Sequence, residues 1–158
     1  LDAGMVQFRS ERIAADNLVR RACEPFLVPM ELRGQTLRVT ADSCALPCDA
    51  AWTAEALGNI IKNCMEHTPV GGTVSVTAVG TPLFVQIEIS DTGDGADPSD
   101  LPHLFERFYR GKNASSDSVG IGLALARAVI SAQNGTVTAR NGKDGGAVFT
   151  VRFYYGVV

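Results

Sequence analysis

No stretch of this sequence approaches the roughly 20 consecutive apolar residues that a membrane-spanning helix needs. Residues 1–10 have no basic end followed by an apolar run, the pattern of a secretory leader. Positive charge is not in excess either: 14 Lys and Arg face 17 Asp and Glu, for a formal net charge of −3. Sequence-independent nucleic-acid binding needs a basic surface and is not expected. Cysteine is limited to Cys23, Cys44, Cys48 and Cys64. Cys44 and Cys48 are four apart, but no second Cys/His pair follows at zinc-finger spacing, which argues against a structural zinc site. Cys23 and Cys64 fall on apolar helix faces and read as small buried hydrophobes. A chain of 158 residues with this supply of aliphatics builds its own core without disulfides, so a reducing, cytosolic compartment is expected. Internal repeats and low-complexity segments are missing as well.

What is present alternates between the two secondary-structure periods. Residues 4–10, GMVQFRS, read as a short edge strand. Residues 13–33 place Ile13, Leu18, Val19, Ala22, Phe26 and Leu27 at helical spacing, with Pro25 and Pro29 limiting its extent. TLRVTA, 36–41, alternates as a strand, and SCALPCD, 43–49, reads as a turn region. Residues 50–67 give the clearest helix, with Ala56, Leu57, Ile60, Ile61 and Cys64 on one face and Glu55, Asn59, Asn63 and Glu66 on another. Strands over 72–80 and 82–90 form a hairpin. A Gly-, Asp-, Pro- and Ser-rich stretch runs from Asp91 to Val119, interrupted by LFERFYR. A helix over about 121–134 ends at Asn134-Gly135, and TVTARN and AVFTVRFYY close the chain as a second hairpin around GKDGG. This order predicts an α+β, two-layer α/β sandwich: one mixed β-sheet covered on one face by about three helices. The long stretch inside a compact domain is expected to be functional.

Three local patterns carry chemistry. DTGDG, 91–95, begins where a strand ends; alone it is an ordinary turn sequence. VGIGLALA, 119–126, sets two glycines at a helix start, where backbone can approach a ligand and the helix end favours an anion, although helix–sheet packing would ask for the same glycines. Asn59 and Asn63 stand at i and i+4 on one helix face, although Asn is mildly unfavourable in a helix interior. Their amide oxygens suit Mg2+, a hard cation that prefers oxygen, while solvent-facing amides would look the same in sequence.

Taken together and in order, the asparagine helix, DTGDG, LFERFYR and GIGLAL closely resemble the N, G1, F and G2 boxes of the nucleotide-binding domain of sensor histidine kinases. The resemblance runs from about residue 10 to 154 and includes the last hairpin. It implies the Bergerat fold with a long ATP lid, and ATP and Mg2+ as cofactors. It implies that Asn63 holds Mg2+ with Asn59 assisting, and that Asp91 accepts from the exocyclic amine of adenine, with Gly93 and Gly95 turning tightly beside the base. It also implies that Phe105 and Phe108 anchor one end of the lid, that residues 111–119 form the lid, and that Gly120, Ile121, Gly122 and Leu123 begin the helix behind the phosphates. Arg107, Arg110 and Lys112 lie nearby in sequence and suit contact with phosphate charge, while a solvated basic cluster is the alternative for each.

Three positions depart from the family pattern. Ala96 replaces the usual Ile, Ser118 stands at the first G2 glycine, and Glu66 replaces a phosphate-facing Lys. Lys62, one turn back, is the expected substitute for that Lys. Related ATPases of this fold, the type II topoisomerases, heat-shock chaperones and mismatch-repair proteins, carry a general-base Glu four residues before the metal Asn. Here Asn59 occupies that position and cannot take the proton, so phosphoryl transfer is favoured over hydrolysis. The only histidines, His67 and His103, lack the context of a phosphoacceptor. The expectation is thus a single ATP-binding catalytic domain over 1–158, with residues 1–10 a remnant of an upstream linker. It would be a monomeric fragment of a homodimeric parent, cytoplasmic, with the parent anchored in the cell membrane. Its partners are the parent's own phosphoacceptor domain and a response regulator. An anti-sigma-type serine kinase and a degenerate interaction domain of the same fold are the competing readings.

Overall fold

A computed structural model describes residues 6–109 and 121–155. Five strands form one mixed sheet: β2 (Thr36–Ala41), β4 (Thr73–Gly80), β5 (Phe84–Asp91), β7 (Ala147–Tyr154) and β6 (Gly135–Asn141), in that spatial order. β2 runs parallel to β4, and every other pairing is antiparallel. Strict alternation decides which face is covered. Val85, Ile87, Ile89 and Asp91 of β5 are buried, while Gln86, Glu88 and Ser90 point the other way and stay partly open. In register across the open face stand Thr40, Thr77, Glu88, Thr150 and Thr138. A polar row of this kind leaves one side of the sheet to water and commits the other to the core.

Three helices cover the apolar face. α1 (Ala15–Cys23) lies on β2 and β4, α3 (Ala50–His67) on β4 and β5, and α4 (Gly122–Ala132) on β6, with α3 packed between the other two. Leu18, Leu57, Ile60, Ile61, Ile130 and Phe149 are among the largest fully buried side chains, so the core sits between α3 and the central strands. The expected two-layer sandwich is the observed one.

Three local expectations are corrected. Of the edge strand expected at 4–10, residues 4 and 5 lie outside the described residues and residues 6–10 form no strand; the strand is β1 (Glu11–Ala14). Its partner is β3 (Ala45–Cys48), inside the stretch read as a turn. Pro47 is tolerated there because this antiparallel pair forms a separate two-stranded ribbon, and Leu46 and Cys48 alternate into the core. The helix expected over 13–33 is interrupted: a 3-10 turn (Glu24–Phe26), with Pro25 in its first turn, separates α1 from the short α2 (Leu27–Leu32).

Candidate functional site

The site lies at the C-terminal ends of α3 and β5, beside the start of α4. α3 is held at both ends. Asp49 is its N-cap: its carboxylate accepts from the Trp52 amide at 3.0 Å and the Arg9 amide at 2.8 Å. Burial disfavours the Asp49 charge, but amide hydrogen bonds from Trp52, Arg9 and Ala51 and the nearby Arg21 outweigh it, so its pKa lies below the usual 3.8. At the other end, the buried Gln35 amide donates to the carbonyls of Met65 (2.9 Å) and Thr68 (2.6 Å), and the Thr68 hydroxyl donates to Cys64 O at 2.7 Å. These bonds satisfy carbonyls that the helix end leaves open.

Asn59 and Asn63 are both partly buried on the same face of α3. Asn59 Nδ2 donates to Gly122 O at 3.2 Å, tying α3 to the first residue of α4. Among the described residues, a Cβ on Gly122 would meet Asn59 in ordinary contact, at 3.9 Å. Ile121 is 43% exposed and precedes the helix, and Leu123 packs on the core. Lys62 is exposed and Glu66 partly buried on the flank of the same face.

Asp91 ends β5 and is 6% exposed. Its Oδ1 accepts from the amides of Gly93 (2.9 Å) and Ala147 (3.3 Å). Its Oδ2 is buried and has no donor among the described residues. An orphaned buried carboxylate oxygen is unfavourable by about 1–3 kcal/mol or more, and a ligand amine would satisfy it. Cys64 lies against this carboxylate; burial first, then the Asp91 charge and hydrogen bond, raise its thiol pKa well above normal.

The loop after Asp91 is packed so closely that side chains are excluded. A Cβ on Gly93 would stand 2.1 Å from the His67 carbonyl oxygen. One on Gly146 (φ +74°) would stand 1.8 Å from the Asp91 carbonyl oxygen. Gly95 turns at φ +75° beneath Asn141. The Asn141 side chain clamps Ala96 at both its amide (2.9 Å) and its carbonyl (2.8 Å). Asn141, Gly146, Gln35 and Cys64 are therefore site components that sequence reasoning missed. GKDGG offered a signal, since its paired glycines exceed what a hairpin turn needs.

LFERFYR splits in two. Phe105 is buried and meets Phe149 edge-on at 6.1 Å, so it packs as part of the core. Phe108 is not buried with it: its φ is +64°, it is 67% exposed, and the Arg107 guanidinium lies 5.6 Å from its ring centroid. Beyond it, the Tyr109 hydroxyl donates to the buried Asp100 carboxylate, closing residues 100–109 into a clasp. That hydrogen bond, before burial and neighbouring acids, raises the Tyr109 pKa above its usual 10. Arg110, Lys112, Ser118 and Gly120, with the expected lid, lie outside the described residues. Among the described residues no group of three or more His, Cys, Asp or Glu could hold a metal on its own. The amide oxygens of Asn59 and Asn63 fit Mg2+ only as a minority share of its oxygen shell, the rest coming from phosphate and water.

A strand-end carboxylate with a free buried oxygen thus stands in a glycine-lined turn, on the same side of the α+β sandwich as the asparagines of α3. Residues 48–156 match the family "Histidine kinase-, DNA gyrase B-, and HSP90-like ATPase". The chain belongs to that family. It is similar to the sensor protein CreC of Escherichia coli K12, 33% identical over 87% of this chain and 29% of the relative. It is also similar to the sensor histidine kinase CusS of the same strain, 33% identical over 73% of this chain and 25% of the relative. It thus spans under a third of the length of either. Among solved structures, the mycobacterial sensor histidine kinase MprB superposes with a TM-score of 0.83 at 23% identity, covering 91% of this chain and 97% of that one. The catalytic domain of the histidine kinase ThkA gives 0.82 at 17% identity, covering 92% and 97%. These likenesses establish the fold.

Proposed function

We propose that this chain is the ATP-binding catalytic domain of a sensor histidine kinase in two-component signal transduction. It binds Mg-ATP and donates the γ-phosphate to a histidine on a separate helical-hairpin domain of the same parent protein. The observation that carries this reading is the buried, donor-free Oδ2 of Asp91. A carboxylate there accepts from the exocyclic amine of adenine and repels the carbonyl that guanine would present. Gly93 and Gly95 let the backbone pass close to the base. Asn63, with Asn59 beside it, would hold Mg2+, which would neutralise phosphate charge. Lys62, Arg107 and Arg110 meet the phosphates, and Gly120, Ile121, Gly122 and Leu123 bring the start of α4 towards them. Among the described residues Lys62 has no carboxylate partner, which leaves its ammonium available for this task. Catalysis is mostly positioning and charge stabilisation, and the chain alone does not phosphorylate itself.

The parent protein is proposed to be a membrane-anchored homodimer with this domain in the cytoplasm, serving a response regulator. Calorimetric titration with a non-hydrolysable ATP analogue tests the site. Binding is expected, with loss in Asp91→Asn and no response to the guanine counterpart. Labelled phosphate should then pass from ATP to a separately produced acceptor domain only when this chain is present. Absence of binding at millimolar nucleotide would instead identify an interaction module.

A further inference from the structure

Glu66 sits where nothing in the fold favours it. It falls in the last turn of α3, where the helix dipole places partial negative charge and a carboxylate is unfavourable. It is partly buried, three residues beyond Asn63 and seven beyond Asn59, so it shares their face. Among the described residues the ion pair present is His103 with Glu106, and Glu66 has no cation partner. Lys62, at i−4, does not pair with it. That order, Lys before Glu, is the weaker of the two helical arrangements. The result is a carboxylate without a cation partner among the described residues, one turn beyond Asn63 and two turns beyond Asn59 on the same helix face. Asn63 makes no side-chain hydrogen bond among the described residues, and Asn59 commits only its nitrogen, to Gly122.

A carboxylate and two amide oxygens form a hard donor set, too small to hold a divalent cation alone. They complement a cation that arrives with its own ligands. The same carboxylate repels a bare triphosphate. We propose that Glu66 makes nucleotide recognition contingent on the metal: it rejects free ATP and favours the magnesium chelate through water in the metal's shell. This rests on the nucleotide reading of the site and adds to it a residue that selects the form of the nucleotide. It also gives Lys62 and Glu66 separate tasks, Lys62 countering phosphate charge and Glu66 the metal's.

The test is titration of this chain with a non-hydrolysable ATP analogue, in excess Mg2+ and in EDTA. The proteins are wild type, Glu66→Gln and Glu66→Lys, with Asp91→Asn as the control for the adenine contact. In wild type, removing Mg2+ should weaken binding by about 100-fold; in Glu66→Gln by about 10-fold or less; in Glu66→Lys by about 3-fold or less. The convergence should come from tighter binding in EDTA, a gain that a misfolded variant cannot give, and Glu66→Gln preserves the side-chain shape. Equal Mg2+ dependence in all three proteins, with Asp91→Asn still weakening binding, overturns the role of Glu66 and leaves the nucleotide site standing. No binding by wild type in either condition overturns both.

Discussion

Asp91 keeps one carboxylate oxygen on amides of its own loop and strand and the other buried without a donor. Replacing it by Asn relieves an unpaired charge but puts an amine where an amine should dock. Asp91→Asn is therefore expected to keep or raise the urea midpoint while lowering affinity for an ATP analogue by about 10–100-fold, measured by paired unfolding and calorimetry. Gly146 shows the opposite balance. Its positive φ and the 1.8 Å clash that a Cβ would make with the Asp91 carbonyl are backbone constraints. Gly146→Ala should lower stability by roughly 2–4 kcal/mol in urea titration, and displace Asp91 with it. Asp91 was legible because DTGDG ends a strand within an ordered set of boxes. Gly146 and Asn141 were not, since a hairpin turn and a close approach to a distant strand end ask for the same residue types.

α3 was legible to the residue because its apolar face runs unbroken over 50–67; the structure adds the Asp49 N-cap that holds its start. Its cap has a pH signature. The Asp49 pKa is depressed in the fold, so its contribution to stability is present above the unfolded value near 3.8 and is lost as pH falls through the lower folded value. Urea midpoints measured downwards from pH 5 should fall in wild type, and Asp49→Asn should lack that part of the decline. β3 was missed because Pro47 and two flanking cysteines look like turn chemistry, and only its pairing with β1 defines it as a strand. LFERFYR read as one unit, yet Phe105 is buried in the core while Phe108, at positive φ, is exposed. Tyr109→Phe removes the hydroxyl that closes the clasp on Asp100. Hydrogen exchange across residues 100–109 should quicken in that variant while the exchange of α3 stays unchanged.

On the scale of the whole molecule, the alternating polar and apolar faces of the strands made the two-layer architecture readable. The order β2-β4-β5-β7-β6 was not, because crossing connections leave no local mark in sequence. The four cysteines sample this architecture at different depths. Cys44 is only partly covered, whereas Cys23, Cys48 and Cys64 are buried and free. Burial pushes the Cys23 thiol up to about 11, and Cys48 and Cys64 are raised too, so the thiolate that reacts is scarce in all three. The Cys44 thiol is raised as well, by burial first and then by Asp42, but it can be reached, so a thiol reagent at neutral pH should label Cys44 ahead of the other three in the native protein. The remaining three should react only at the rate of opening, and saturating nucleotide should slow them by the factor that its binding adds to stability.

The contact between Cys64 and Asp91 has a spectroscopic consequence. The S–H stretch absorbs where other protein groups are silent, and its frequency follows the strength of the acceptor that the thiol faces. In the proposed site, an adenine amine on Asp91 would draw electron density from that carboxylate and weaken it as an acceptor for the neighbouring thiol. The Cys64 band, assigned by its disappearance in Cys64→Ala, should then move to higher frequency on nucleotide binding, an infrared indicator already built into the floor of the site.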